Sequence, residues 1–212
     1  MLPGRECLIA WCKLFWRISG ARQKYARKTR ISQFFLSAPF IACLQMPYSI
    51  NDIQKILAAR WLQKSDPDAG VEQLLFDSRQ VAMPSRSLFF ALSGERLDGH
   101  RYLPDLYRAG VRQFVVSQAV AVESYPDANI LLVKNTLQAL QLLAQHHRSK
   151  FRIPVVGITG SNGKTVIKEW LWQLLSPDFH IVRSPKSYNS QIGVPLSVWQ
   201  MKPEHTLALF EA

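Results

Sequence analysis

Beyond Cys43 the chain has no cysteine: Cys7, Cys12 and Cys43 all fall within the first 45 of its 212 residues. The remaining 167 residues can form neither a disulfide framework nor a cysteine metal site, which fits a reducing, cytoplasmic compartment. Long apolar runs are missing too. The apolar stretch within "RKTRISQFFLSAPFIACLQ" is about eleven residues, short of the roughly 20 that a membrane-spanning helix needs. Acids are scarce at the start, where Glu6 stands against eight Lys/Arg in residues 1–45, a net of +7. Residues 46–212 hold 18 bases and 14 acids, a net of only +4. The overall charge of +11 therefore belongs mainly to a leader, and the body of the chain gives no argument for a nucleic-acid partner. Internal repeats and low-complexity tracts are absent, and no Ser-His-Asp or Cys-His set can be argued from the spacings.

The leader, residues 1–45, matches no targeting pattern well. Its basic part is too long for a secretory signal, "FIAC" is a poor lipoprotein cleavage site, and an Arg-rich arm without a recognisable module is weak ground for nucleic-acid binding. It reads as an upstream extension, with Met46 of "MPYSINDIQKIL" as the true first residue and no function of its own.

What is present has a globular balance, 48% hydrophobic with 19% charged residues. "SINDIQKILAARWL" places Ile50, Ile53, Ile56 and Leu57 on one face of a helix with Ser49 as its N-cap. "VEQLLFDSR" reads as a short strand running into a polar turn, and "SLFFAL" as a buried strand. "YLPDLYRAG" is a helix closed by Gly110, followed by the strands "VRQFVVS" and "NILLVKN". "TLQALQLLAQHHRSK" is a helix with Thr136 as N-cap and Leu137, Leu140, Leu143 and Ala144 apolar. Its adjacent His146 and His147 point in different directions, cannot easily ligate one metal, and are expected to be solvated. Alternating strands and helices indicate an α/β domain over residues 46–134, joined by a connecting helix, 135–150, to a second unit, 151–212. In that unit "IPVVGITG" is expected to be a buried strand, "KTVIKEWLWQLL" a helix with Trp170 and Trp172 partly in the core, and "FHIVRS" and "HTLALFEA" two more strands. A doubly wound sheet needs more strands than these, so residues 151–212 read as the first part of a domain.

The stretch Gly157–Thr165, "GITGSNGKT", joins the apolar "IPVV" to the helix. A glycine turn between strand and helix points successive backbone N–H groups, and the positive end of the helix dipole, at an anion. The usual spelling G-x-x-x-x-G-K-[ST] wants glycine where Ile158 stands, so the loop begins one residue later, as "TGSNGKT". Thr159, Gly160, Ser161, Asn162, Gly163, Lys164 and Thr165 are the candidate ATP-binding residues. Gly160 and Gly163 supply the positive φ angles, Lys164 reaches the β- and γ-phosphates, and Thr165 offers its hydroxyl to Mg²⁺.

"ITGSNGKT" resembles the ATP loop of the Mur ligase family, ATP-dependent amide-forming enzymes of peptidoglycan precursor synthesis, which share this short form with folylpolyglutamate synthases. The resemblance continues through "FDSR" (Phe76–Arg79), "SLFFALSGE" (Ser87–Glu95), "DGH" (Asp98–His100), "AGV" (Ala109–Val111) and "SYNSQIGVPLS" (Ser187–Ser197), and covers residues 46–212. The last of these is similar to the branch that adds D-Ala-D-Ala to UDP-MurNAc-tripeptide. The Thr-Thr-Pro pattern usual in the branch that adds the preceding residue is absent.

What the resemblance implies is an α/β chain: a small N-terminal domain binding the UDP end of the substrate, then a truncated P-loop domain. ATP would phosphorylate the tripeptide carboxylate, and the amine of D-Ala-D-Ala would attack the acyl phosphate. Lys164 and Thr165 would be catalytic, and Thr165 and Glu211 would hold Mg²⁺. Ser78, Arg79, Asp98, His100 and Asn189 would contact substrate, although Asp77 can instead orient Arg79, and Asp98 can stabilise its own turn. A ligase of the preceding step, a folylpolyglutamate-type ligase and a non-catalytic nucleotide- or UDP-sugar-binding module are the other readings. Some family members carry a C-terminal alanine racemase. As a fragment, the chain is expected not to turn over alone.

Overall fold

A strand whose every residue is apolar belongs where both faces of its sheet are covered. The computed structural model describes residues 48–94, 98–185 and 187–211, so the reading of the leader lies outside the described residues. After a two-residue antiparallel pair, β1 (Tyr48–Ser49) with β3 (Gly70–Val71), the first sheet contains five strands. These are β2 (Arg60–Gln63), β4 (Gln73–Leu75), β5 (Ser87–Phe90), β6 (Gln113–Val116) and β7 (Asn129–Leu132), in the order β2-β7-β6-β5-β4. All neighbours run parallel except β2, which is antiparallel to β7.

Successive side chains of a strand leave by opposite faces, and the core divides accordingly. Leu74, Leu88, Phe90, Val115 and Leu131 meet helices α1 (Ile50–Leu57) and α3 (Thr136–Ser149) on one face. Leu75, Phe89, Phe114, Val116 and Ile130 meet α2 (Leu103–Arg108) and Tyr125 on the other. This two-sided cover explains why "SLFFAL" is apolar throughout. Ser49 caps α1 as expected, accepting from Asp52 N while the Asp52 carboxylate accepts from Ser49 N. The cap of α3 is Asn135, whose side chain accepts from Gln138 N, and not Thr136. Thr136 is the first helical residue, and its hydroxyl donates to the Ala91 carbonyl (3.1 Å), tying the helix to the end of β5.

The second sheet contains β8 (Val155–Ile158), β9 (Ile181–Arg183) and β10 (Leu207–Glu211), all parallel, in the order β8-β10-β9. Helix α4 (Lys164–Leu175) follows β8, and α5 (Gly193–Trp199) lies between β9 and β10. The central strand β10 is buried from end to end. The expectation of a buried β8 does not hold: among the described residues it is an edge strand with β10 as its partner, and it leaves Val155 and Val156 exposed. Beside it Val166, Ile167 and Leu174 of α4 are exposed too, and Trp170, expected to be partly core, is 63% exposed. Trp172 is half-buried, with the Arg183 guanidinium 4.1 Å above its ring.

Helix α3 carries more than a connection. Its Ala139, Leu140 and Leu143 belong to the first core, which Leu196 of α5 also enters. His147, expected to be solvated, is buried at the same junction. Its Nε2 lies 3.0 Å from the Met201 carbonyl, which can only accept, so Nε2 carries the proton and Nδ1 accepts from the Tyr48 hydroxyl at 3.1 Å. The rings of Trp199 and Phe151 flank it at 4.8 and 5.0 Å. No helix among the described residues is long and apolar enough to cross a membrane.

Candidate functional site: the loop between β8 and α4

Parallel pairing sets the level at which this site is built. Glu211 at the end of β10 lies opposite Ile158 at the end of β8, so a carboxylate and the start of the glycine loop share one edge of the sheet. From Ile158 the chain turns through Gly160 (φ +143°) and Gly163 (φ +78°), both in the region that favours glycine, and enters α4 at Lys164. Gly163 at the N-cap has no side chain to cap α4, and among the described residues this leaves the first-turn N–H groups available to an anion. Lys164 folds back over the loop, with Nζ 2.6 Å from the Gly160 carbonyl.

Thr165, in the first turn of α4, donates its hydroxyl to Glu211 Oε2 at 3.2 Å, and Ser187 Oγ lies 3.2 Å from the same hydroxyl. A hydroxyl and a carboxylate side by side are an all-oxygen donor set of the kind Mg²⁺ takes, with phosphate oxygens and water completing the shell. No group of three or more His, Cys, Asp and Glu among the described residues offers a protein-only metal cage. The Thr165 hydroxyl and the Glu211 carboxylate fit a nucleotide-bound Mg²⁺. Glu211 is itself fully buried, its backbone N–H donating to Ser184 Oγ at 3.1 Å. Its Oε1 has the Lys168 ammonium 2.7 Å away as counter-charge and takes no other hydrogen bond. Lys168, Ser184 and Ser187 were not singled out in the sequence. Lys168 stands three residues after Thr165, one helical turn on and on the same face, which is the signal that could have found it.

The other candidate residues lie on the first sheet. Because β4, β5 and β6 are parallel neighbours, the loops that follow them leave from one carboxyl edge, where ligands of such sheets ordinarily bind. Asp77 caps the 3-10 turn Ser78–Gln80, accepting from Arg79 N at 3.0 Å and from the guanidinium at 3.0 and 2.8 Å. The guanidinium's hydrogen bonds hold the Asp77 carboxyl below its ordinary range. Arg79 remains 86% exposed, and Ser78 is half-buried. In the next loop Asp98 accepts from His100 N (3.0 Å) and lies 2.6 Å from His100 Nδ1. Ser117 N, past the end of β6, donates to His100 Nε2 at 3.1 Å, so the ring's own proton sits on Nδ1, facing Asp98. Both ring nitrogens are thus engaged within the chain, and His100 braces two loops. Asn189 is exposed in the segment after β9, its N–H bonded to the Ser187 carbonyl.

A cleft of about 620 Å³ runs along β9, lined by Glu72, Arg183, Trp199, Lys202 and His205 among others. It lies on the far side of the sheet order from β8 and does not include the glycine loop.

Residues 71–148 match the Mur ligase family catalytic domain and residues 158–212 the Mur ligase middle domain. The chain is 34% identical over 165 residues to the UDP-N-acetylmuramoyl-tripeptide–D-alanyl-D-alanine ligase of Synechocystis sp., covering 77% of this chain and 36% of that protein. Among solved structures, the UDP-N-acetylmuramoylalanyl-D-glutamyl-2,6-diaminopimelate–D-alanyl-D-alanyl ligase of Acinetobacter baumannii superposes with a TM-score of 0.70 at 27% identity, over 78% of this chain and 36% of that one. The MurF ligase of Thermotoga maritima in complex with ADP superposes at 0.56 and 28% identity, over 66% of this chain and 32% of that one. The chain thus spans about a third of the length of the relatives it matches. Two Mur ligase domain matches, with the glycine loop opening the second, place this chain in the Mur ligase family.

Proposed function

We propose that the chain is part of an ATP-dependent, ADP-forming amide ligase of peptidoglycan precursor synthesis. In this reading it works in the cytoplasm and joins D-Ala-D-Ala to UDP-MurNAc-tripeptide. The observation that carries the reading is the meeting of the Thr165 hydroxyl and the Glu211 carboxylate, 3.2 Å apart, at the mouth of the Gly160–Gly163 turn.

Lys164, released from the Gly160 carbonyl by a competing phosphate, would bring its ammonium to the β- and γ-phosphoryl oxygens, where negative charge gathers as the terminal phosphoryl group leaves. The N–H groups from Gly160 to Thr165 would hold the remaining phosphate oxygens. Mg²⁺, when bound by Thr165 and Glu211, would neutralise charge on the same oxygens. The acceptor is the tripeptide carboxylate, which becomes an acyl phosphate. The D-Ala-D-Ala amine displaces phosphate from it and forms the amide. At the first sheet Ser78 and the exposed fork of Arg79 would take the uracil or diphosphate end, on a loop edge that Asp98 and His100 hold in shape. Asn189, next to Ser187, would face the acceptor amine.

The test is calorimetric titration of the purified chain with ATP in Mg²⁺ and, separately, with UDP-MurNAc-tripeptide. The expected result is binding of both, with ATP affinity lost in Lys164→Ala and UDP-ligand affinity lost in Arg79→Ala. A chain that is folded yet binds neither ligand refutes the reading.

A further inference from the structure

Lys168 and Glu211 are both completely buried, although neither is beyond the reach of the glycine loop's first helical turn. A charge pair taken out of water loses several kcal/mol of hydration per ion, and its attraction offsets this only with good geometry and further hydrogen bonds. Those bonds are present. The ammonium lies 2.7 Å from Glu211 Oε1 and donates to the Ser184 carbonyl at 2.8 Å, while Ser184 Oγ accepts from Glu211 N at 3.1 Å. The competing carboxylate of Glu169 is farther from the ammonium, at 3.8 Å, and is itself paired with Arg183. Three elements meet in this clasp: α4 through Lys168, the end of β9 through Ser184, and the end of β10 through Glu211.

We propose that Lys168 is a positioning residue for the metal seat. Anchored on the Ser184 carbonyl, its ammonium holds Glu211 Oε1 so that Oε2 stands beside the Thr165 hydroxyl, where a nucleotide-bound divalent cation needs it. The inference rests on the nucleotide reading above. Lys168 has no exposed surface and cannot touch substrate, so it acts through Glu211. Stability alone does not call for the pair, because apolar side chains of similar volume often serve as well or better in such positions. What they cannot supply is a carboxylate fixed in one orientation with one oxygen aimed at the loop. Lys168 is suited to this by position: it follows Thr165 by one turn, so the residue offering a hydroxyl and the residue steering the carboxylate are on one rigid face of α4. Ser184 also opens the segment that brings Ser187 to Thr165, so the same ammonium secures the neighbour on the other side of the hydroxyl.

The experiment is calorimetric titration of the chain with ADP, once in Mg²⁺ and once in EDTA, for the wild type and Lys168→Met. In the wild type Mg²⁺ tightens ADP binding. In K168M that tightening falls by about tenfold or more, the scale of loss when the group behind a metal ligand is removed, while metal-free ADP affinity stays within about twofold. A merely structural lysine would not move this ratio. If K168M does not fold by circular dichroism, Lys168→Gln, which keeps an N–H donor for the Ser184 carbonyl, reads the same ratio. A reduced tightening supports the proposal, and an unchanged or larger one overturns it. A wild type that binds ADP equally well with and without Mg²⁺ also overturns it. A wild type that binds no ADP in either buffer refutes the nucleotide site itself, whereas metal-linked binding that survives the loss of Lys168 refutes this inference alone.

Discussion

Replacing His147 with leucine tests whether the junction of the two sheets is held by a neutral imidazole. In the native chain the ring is donor to the Met201 carbonyl and acceptor for the Tyr48 hydroxyl. Leucine has nearly the same volume and satisfies neither. Met201 is 1% exposed and Tyr48 8%, so both partners are left in a dry environment. A buried polar group without a partner costs about 1–3 kcal/mol. With two such groups orphaned the expected loss is about 2–6 kcal/mol, a large share of a domain's usual 5–15. Urea unfolding followed by tryptophan fluorescence is the assay, Trp199 being in ring contact with His147.

The pH dependence of the same experiment is a second, independent reading. Burial lowers the His147 pKa from its ordinary 6.5; the Met201 bond opposes this, and Lys150 and His146 add to it. The unfolded chain therefore takes up a proton first as the pH falls. The stability that neutral His147 contributes is complete above about pH 6.5 and is lost as the pH drops towards its lower folded value. His205, also lowered by burial, titrates in the same direction and remains in the variant, so H147L should show a shallower acid slope rather than none. Unchanged stability at pH 8, or an unchanged slope below pH 6.5, would refute the reasoning.

Gly163→Ala forces a left-handed φ on a residue with a side chain while meeting no neighbouring atom within 4 Å, so its cost should be conformational alone, about 1–2 kcal/mol in chemical denaturation. Gly99→Ala is different in kind: a Cβ there would lie 2.7 Å from Leu92 N, a backbone atom that cannot swing aside, and a loss of about 1–3 kcal/mol is expected in the same assay. Arg79→Ala should leave the melting temperature within about 1 °C, since an ion pair with one partner 86% exposed contributes little, while weakening UDP-ligand binding in a titration.

The strands and helices were legible because their burial follows from spacing within one element. Leu140, Leu143 and Ala144 are buried as their helical period requires, and Leu88, Phe89 and Phe90 are buried on alternate faces. His147 was expected to be solvated because it and His146 point in different directions, and Lys168, Ser184 and Ser187 were not singled out. His147 continues the stripe of Leu140, Leu143 and Ala144, whereas Lys168 shares its face of the helix with the half-buried Thr165 and Trp172. A polar residue on a buried stripe is in the interior whatever its type, and its hydrogen-bond partners come from segments distant in sequence, here Met201 and Ser184, which spacing does not reveal. The error at β8 has the opposite origin. Its valines are apolar, but burial of a strand depends on what is laid against it, and β8 is an edge strand with β10 as its partner. The glycine loop was legible because glycine takes a positive φ without steric cost, as Gly160 and Gly163 do.

The open side of β8 and α4 has a colloidal consequence. Val166, Trp170 and Leu174 recur at four-residue intervals along one helix face, beside Val155 and Val156, so the oily surface is a stripe and not a scatter of single residues. Two molecules approaching one another carry a formal charge of +11 each, and their long-range repulsion acts before any stripe can touch. Salt shortens that repulsion to about 10 Å at 0.1 M and about 3 Å at 1 M without weakening the attraction between apolar surfaces. The usual remedy for a sticky basic protein, raising the ionic strength, should therefore make this one more turbid, and light scattering should climb with added salt.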